Sequence, residues 1–195
     1  MTFTRRTMIA GTAATLAVAA SGRGADGPRF ATSAIDVHHH FLPPFYKPLA
    51  KPWLDAFATG VAAVMAWTPE SSLAAMDEAG VRTAILSISA PGVHFGDSAQ
   101  AADVARECND YAALLCHDHP SRFQFFAALP LPDADAAIRE AERALALNGA
   151  RGVGMLSNYG GQYLGEERFR PLFEWLNRRG AVVYVHPTDA PCCAG

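Results

Sequence analysis

Strand-like and helix-like patterns of hydrophobic and polar residues alternate along residues 31–195. Five predominantly apolar runs have few polar interruptions, and they read TSAIDVH (32–38), VRTAILSIS (81–89), RFQFFAALP (122–130), ARGVGMLS (150–157) and AVVYVHP (181–187). Runs that are apolar on both faces are typical of parallel strands buried on both sides of a sheet. The pattern therefore predicts five parallel strands.

Amphipathic segments with helical spacing separate these strands. The first runs from Thr68, a good N-cap residue, through Pro69 to Gly80, a good terminator. The other predicted helices are 97–119, with its cap at Asp97 or Ser98 and its stop at Pro120, 133–148 and 166–179. The apolar stretch 55–67 is left unassigned. The alternation indicates βα units.

Two architectures use such units: a (β/α)8 barrel and a doubly wound sheet. No glycine-rich phosphate turn follows the first strand, which disfavours the dinucleotide-binding form of the second. Histidines and other polar residues gather after strand ends, where a barrel has its active site. We predict a partial (β/α)8 TIM barrel with about five of the eight βα units. Since five strands cannot close such a barrel, we expect a fragment or a truncated product.

Composition supports a globular domain and excludes some partners. Half of the 195 residues are apolar and the net charge is -3, without a basic cluster, so a nucleic-acid footprint is not expected.

Residues 1–30 are predicted to be an export signal and linker. Arg5 and Arg6 precede the apolar run Met8–Ala20, which resembles a twin-arginine signal with a small-residue cleavage site near its end. We expect a periplasmic or extracellular protein without a stable membrane span after cleavage. The alternatives are an uncleaved helix on the membrane surface, because the run is short for a span, and a cytoplasmic protein if the signal is unused.

The four cysteines do not form the pattern of a secreted disulfide framework. Cys108 and Cys116 lie in one helical pattern and are predicted to be buried thiols, whereas Cys192 and Cys193 are adjacent.

Three consecutive histidines end the first predicted strand. Because side chains alternate along a strand, His38 and His40 should share one face with Asp36, while His39 points to the other. Two imidazoles on one face can bind one divalent metal, and this position at a strand end favours a metal site over the alternative of a solvated histidine run. His39 is expected to pack or to support its neighbours from behind.

Three other histidine positions differ in what they indicate. His117 and His119 also have the His-x-His spacing, but at a helix end, where residues two apart do not face each other, so we interpret them as structural. His186 ends the fifth strand and could complete a three-histidine set or be a hydrogen-bonded core residue. His94 could contact a substrate or hold its loop.

The segments IDVHHHFLP, PGVHFGD, LSNYGGQYLG and VVYVHP, in this order, resemble the aminocarboxymuconate-semialdehyde decarboxylase branch of the amidohydrolase superfamily. The resemblance covers the chain from about Ala34 to its end. It implies a metal-dependent (β/α)8 barrel with zinc, or sometimes manganese. By matching position it implies that His38, His40 and His186 are the metal ligands.

The resemblance also implies a function. Many members are non-oxidative decarboxylases of small aromatic or dienoic acids such as γ-resorcylate and 6-methylsalicylate, and others are hydrolases, including a lactonase. We expect a decarboxylase, with metal-dependent hydrolysis of a lactone, ester or amide as the alternative. The substrate is expected to contact His94, Asn158 and Tyr159. Lys47 and Lys51 could meet a carboxylate, although solvated lysines are the simpler interpretation.

The catalytic residues are not assigned within this sequence. The family also uses a histidine after the sixth strand and an aspartate after the eighth, and both positions would lie beyond residue 195. A third interpretation is therefore an inactive, truncated metal-binding remnant, and we expect the 195-residue chain to have weak activity or none. A small carboxylic acid is the expected partner, and a homodimer is left open.

Overall fold

The computed structural model describes residues 34–57 and 60–189. The predicted export signal and linker (1–30), Cys192 and Cys193 lie outside these residues. The strands are β1 (Ala34–His40), β2 (Val81–Ser87), β3 (Phe123–Ala128), β4 (Ala150–Leu156), β5 (Asn158–Tyr159), β6 (Gln162–Tyr163) and β7 (Val183–His186). The helices are α1 (Tyr46–Phe57), α2 (Val61–Met65), α3 (Pro69–Ala79), α4 (Ser98–Asp118), α5 (Ala134–Ala144) and α6 (Arg170–Arg179), the last preceded by a 3₁₀ turn (Glu167–Phe169).

The order of the strands decides between the two predicted architectures. The main sheet runs β1-β2-β3-β4-β7, and every neighbouring pair is parallel. A doubly wound sheet would reverse its strand order at a switch point, whereas a barrel adds each new strand on the same side of the previous one. The sheet is a curled half-barrel of four βα units and a fifth strand, which confirms the predicted fold class.

The main core lies between the helices and the outer face of this sheet. Its fully buried side chains come from the central strands and from the helices that cover them, and they include Leu86, Phe123, Phe125, Val153, Met155, Met76, Leu172 and Leu176. A smaller core joins α1 to α4, with Tyr46, Leu54, Val104 and Cys108 among its members.

The prediction that the strands are buried on both faces is correct for the centre of the sheet and wrong for its edges. Strand β2 is buried from Thr83 to Ser87. In contrast, Ile35 in β1 is 61% exposed and Val185 in β7 is 46% exposed. The reason is topological, because β1 and β7 each have one neighbouring strand in the described part of the chain.

Capping side chains set the predicted helix starts. Thr68 accepts a hydrogen bond from the Ser71 N–H and Ser71 bonds back to the Thr68 backbone, which makes a capping box. Asp97, rather than Ser98, caps α4 by accepting from the Gln100 N–H. The unassigned stretch 55–67 contains the end of α1 and the whole of α2.

A small antiparallel ribbon after β4 was not predicted. Strands β5 and β6 pair across Gly160 and Gly161, whose φ angles are 60° and 86°. Two successive residues with positive φ form the turn that suits a two-residue hairpin, so the sequence Asn-Tyr-Gly-Gly-Gln-Tyr carried the signal for this ribbon.

The two described cysteines are buried, as predicted. Cys108 and Cys116 are buried free thiols on α4, and burial raises the pKa of Cys116 to about 11. Within residues 34–57 and 60–189, none of the helices combines the length and the apolar character that a membrane crossing requires.

Replacing Gly152 with Ala should destabilise the junction between β4 and β7. A Cβ atom at this position would lie 2.3 Å from the Val182 carbonyl oxygen, so the backbone entering β7 would have to move. Overpacking of this kind typically costs about 1–3 kcal/mol, which urea unfolding would measure. The control is Gly165→Ala, because nothing lies within 4 Å of the added methyl group there. Equal stabilities of the two variants would contradict this account of the junction.

Candidate metal centre and adjoining cavity

Three histidines from opposite edges of the sheet lie together. The ring centroids of His38 and His40 are 4.8 Å apart, and those of His38 and His186 are 4.9 Å apart. One ring nitrogen from each of the three lies within 4.8 Å of the others. The structure therefore brings together the three residues that the resemblance implied as ligands.

This proximity depends on the curvature of the sheet. His38 and His40 end β1 and His186 ends β7, which are the first and last strands of the five-stranded sheet. In a flat sheet, four inter-strand spacings would place these edges about 19 Å apart. The curl brings the two edges close enough for their side chains to meet on the inner face.

The hydrogen bonding and the lowered pKa values of His40 and His186 suit metal binding. The Nε2 atoms of His40 and His186 are buried and have no hydrogen-bond partner. His186 Nδ1 donates to the Pro187 carbonyl oxygen at 2.7 Å, which leaves a free electron pair on Nε2. Burial, together with the neighbouring His186 and His38, lowers the pKa of His40 to about 4. Burial also lowers the pKa of His186.

Asp36 does not share the inner face, so this part of the sequence prediction was wrong. A β-bulge lies between Asp36 and His39, because these residues pair with Ala84 and Leu86, three steps along β1 against two along β2. Asp36 and His39 therefore both point outward, and their side chains are hydrogen-bonded at 2.9 Å. Burial alone would raise the pKa of Asp36. Hydrogen bonds from the His38 N–H and from His39 outweigh this effect, so the pKa is lowered overall.

Sequence reasoning missed Ser87, which ends β2. Its Cα is paired with that of His40, so both residues lie on the inner face, and its hydroxyl is buried without a partner. With the Nε2 atoms of His40 and His186, it makes three such orphaned groups among the described residues. Serine is common in strands and turns, and so the sequence offered no signal that distinguished this one.

The second His-x-His pair lies elsewhere, as expected. His117 is exposed in the last turn of α4. His119 is the C-cap residue of that helix, and its ring packs edge-on against Phe123 at 5.6 Å.

A cavity of about 520 Å³ opens at the carboxyl ends of β2, β4 and β7. Leu156, which lines it, is paired with His186, so the cavity begins beside the histidine cluster. The lining is largely apolar and uncharged, and among the described residues around it Asp189 carries the one formal charge. The lining residues are Trp53, Ala90, Pro91, His94, Pro132, Leu156, Asn158, Tyr159, Gly160, Gln162, Thr188 and Asp189.

The three predicted substrate residues all line this cavity, but they are bonded differently. Asn158 is buried, donating to Thr188 Oγ1 at 2.8 Å and accepting from the Gly161 N–H at 3.3 Å. The Tyr159 hydroxyl accepts from the Leu156 N–H, and burial raises the pKa of this phenol. These two residues mainly shape the cavity. His94 accepts from the Gly96 N–H at Nδ1, so its ring proton lies on Nε2 and can be donated.

The two lysines considered earlier are engaged within the chain and do not line the cavity. Lys47 donates to the Trp67 carbonyl oxygen at 2.8 Å, and Lys51 forms an ion pair with Asp55.

Comparison with known proteins gives consistent matches. The family model described as Amidohydrolase matches residues 35–194. A decarboxylase, yanB, of Aspergillus niger is 47% identical over 166 residues, which cover 80% of this chain and 43% of the relative. The 6-methylsalicylic acid decarboxylase of Penicillium expansum is 39% identical over 160 residues, which cover 79% and 48% of the two chains.

A solved structure is also similar. A dihydroxybenzoic acid decarboxylase from Polaromonas sp. JS666, crystallised with manganese and the inhibitor 2-nitroresorcinol, matches with a TM-score of 0.70 and 27% identity. The match covers 83% of this chain and 52% of that one. The chain thus spans about half the length of the relatives that it matches.

Replacing His38, His40 or His186 with Ala should remove metal from the protein, because each change deletes one of three converging donors. Metal content after dialysis, measured by mass spectrometry, should fall from about one ion per chain to a small fraction of it. His117→Ala is the matched control, since that ring is exposed on a helix and outside the cluster. Retention of metal by all three variants would contradict the assignment.

Proposed function

The chain belongs to the amidohydrolase family, and from that premise we propose that the complete protein is a metal-dependent, non-oxidative decarboxylase of a small aromatic carboxylic acid. The observation that carries the proposal is the three-histidine cluster beside a largely apolar cavity. Related proteins that share half of their length with this chain act as decarboxylases of such acids.

His38, His40 and His186 fit a resident divalent metal. The Nε2 atoms of His40 and His186 are buried without a hydrogen-bond partner, which is energetically costly. A metal ion would satisfy both atoms. Imidazole suits zinc and several other first-row metals, so the donors alone leave zinc and manganese as candidates. We favour zinc from the donor type, with manganese supported by the related structure that contains it.

A carboxylate substrate would depend on the bound metal for its counter-charge. No lysine or arginine occurs among the described residues that line the cavity, so the side chains there provide no permanent positive charge. A bound divalent metal would supply that charge as a Lewis acid toward the carboxylate and an adjacent hydroxyl group. The three imidazoles would hold the charge next to the cavity, since His186 is paired with Leu156, which lines it.

The remaining residues would orient the acid and limit water. Trp53, Pro91 and Leu156 offer flat, apolar surfaces that suit an aromatic ring. His94 Nε2–H can donate to an oxygen of the substrate. Release of carbon dioxide disperses the carboxylate charge, so an apolar cavity favours this reaction more than it favours attack by water. The proton for the ring carbon is assigned by the resemblance to the aspartate after the eighth strand.

A panel of aromatic acids and lactones should separate decarboxylation from hydrolysis. For the complete protein, we expect carbon dioxide release from an ortho-hydroxylated benzoic acid, and no new acid from a lactone or an ester. Removal of metal with a chelator should abolish the release, and added Mn²⁺ or Zn²⁺ should restore it. Acid formation from the lactone without carbon dioxide release would favour the hydrolase instead.

Replacing His94 with Ala should weaken substrate binding more than turnover. Hydrogen bonds to charged groups contribute about 1.5–3 kcal/mol, so KM should rise about tenfold or more while kcat changes less. His117→Ala again serves as the control, because it removes an exposed imidazole in the last turn of α4 that does not line the cavity. An unchanged KM would show that His94 holds its loop and does not contact the substrate.

A further inference from the structure

A continuous series of hydrogen bonds runs behind β1, on the helix side of the sheet. Asp36 Oδ2 lies 2.9 Å from His39 Nδ1, and His39 Nε2 lies 2.9 Å from the Ser72 hydroxyl. The Trp67 indole N–H donates to that same hydroxyl oxygen at 2.8 Å. We call Asp36, His39 and Ser72 the β1 anchor.

The direction of these hydrogen bonds is determined by the chemistry of the end groups. An indole N–H only donates, so the Ser72 oxygen accepts from Trp67 and its own hydrogen is available to His39 Nε2. His39 Nδ1 then carries the ring proton and donates it to Asp36, which is an acceptor when ionised. Every polar atom of the His39 ring is therefore used.

The order Ser–His–Asp also occurs in nucleophile triads, but this one is not placed for attack. Ser72 is 5% exposed and lies in α3, on the opposite side of the sheet from the cavity. Its oxygen already accepts from Trp67. A substrate has no access to this oxygen, and a structural role is the consistent interpretation.

The anchor acts on the part of β1 that carries the metal ligands. Asp36 Oδ1 accepts from the backbone N–H of His38 at 3.0 Å, which closes an Asx turn across the bulge. Because of the bulge, Asp36 and His39 face outward while His38 and His40 face the cluster. The Asp36 carboxylate thus holds the backbone of His38, which is a candidate ligand, and the side chain of His39, which lies between the two candidate ligands of β1.

The bulge explains why β1 needs such a device. It lies between Asp36 and His39, and Val37 within it is 50% exposed. A bulge interrupts the ladder of hydrogen bonds and bends the strand, so its pairing with β2 alone constrains this segment poorly. The bond from His39 to Ser72 ties β1 to α3 and supplies a second constraint.

We propose that the β1 anchor is a positioning device that sets the directions of His38 and His40 and thereby the affinity of the metal site. This proposal rests on the metal site of the proposed function. It gives the middle histidine of the three a defined task that differs from metal ligation.

Metal affinity and ligand geometry can be measured directly with Co²⁺ as the probe. The untagged complete protein is freed of metal and titrated with Co²⁺, and the dissociation constant and the visible absorption bands are recorded. Asp36→Ala should weaken binding about 10- to 100-fold, the usual range for groups that orient ligands, and should alter the bands. Asp103→Ala is the control, because Asp103 is an exposed carboxylate on α4; it should change neither.

Asp36→Asn separates positioning from charge attraction. Its amide oxygen can still accept from the His38 N–H, and its NH₂ group can donate to His39 if the ring moves its proton to Nε2. Positioning therefore predicts recovery to within about threefold of the wild-type affinity, well inside the range above. A pure charge effect predicts that Asn is as weak as Ala, and that result would overturn the proposal.

Ser72→Ala covers the case in which Asp36→Ala does not fold. It keeps the Asx turn and removes the tie to α3, so the affinity for Co²⁺ should fall about tenfold. The proposal would be overturned if Ser72→Ala and Asp36→Ala both kept the wild-type affinity and absorption bands, even if their thermal stability fell. If Asp36→Ala is unfolded, the same result for Ser72→Ala alone would overturn it. A complete wild-type protein that binds Co²⁺ but releases no carbon dioxide would contradict the proposed function and leave this test valid. A wild-type protein that binds no Co²⁺ would overturn both.

Discussion

The curl of the parallel sheet is the constraint on which the candidate site depends. Its donors come from the first and last of five strands, which a flat sheet would hold about 19 Å apart. Helices packed on the outer face of the sheet and an uninterrupted sequential strand order produce the curvature. At Gly152 the backbone of β4 lies so close to the segment entering β7 that a methyl group would collide with the Val182 carbonyl oxygen. This close packing fixes the start of β7, the strand that ends at His186.

The surroundings of the three histidines favour a bound cation. Burial lowers the pKa of His40 and His186, which keeps both imidazoles neutral and able to donate electron pairs near neutral pH. The same burial leaves their Nε2 atoms without hydrogen bonds. Beside them lies a cavity whose described lining contains neither lysine nor arginine. A divalent ion would satisfy the nitrogens and provide the positive charge that the proposed carboxylate substrate needs.

Side-chain alternation is sufficient to predict that His38 and His40 share the inner face, and the apolar strand pattern is sufficient to predict the parallel sheet. His38 and His40 were chosen because they are two residues apart on a strand, and the structure places both beside His186. The same rule failed at Asp36, because a bulge shifts the faces by one residue and leaves no trace in a pattern of polar and apolar letters. The contact with Ser72 was also beyond prediction, since it joins residues 33 positions apart.

A run of three histidines at the end of β1 reflects two requirements on adjacent residues. The inner face must present the candidate metal ligands, and alternation gives His38 and His40 this face. The outer face must fix the strand, because the bulge between Asp36 and His39 interrupts its pairing with β2. Histidine between the donors meets this second requirement with two ring nitrogens, one bonded to Asp36 in the strand and one to Ser72 in the covering helix. The two nitrogens lie on opposite sides of one rigid ring, so a single side chain links the strand to the helix that covers it.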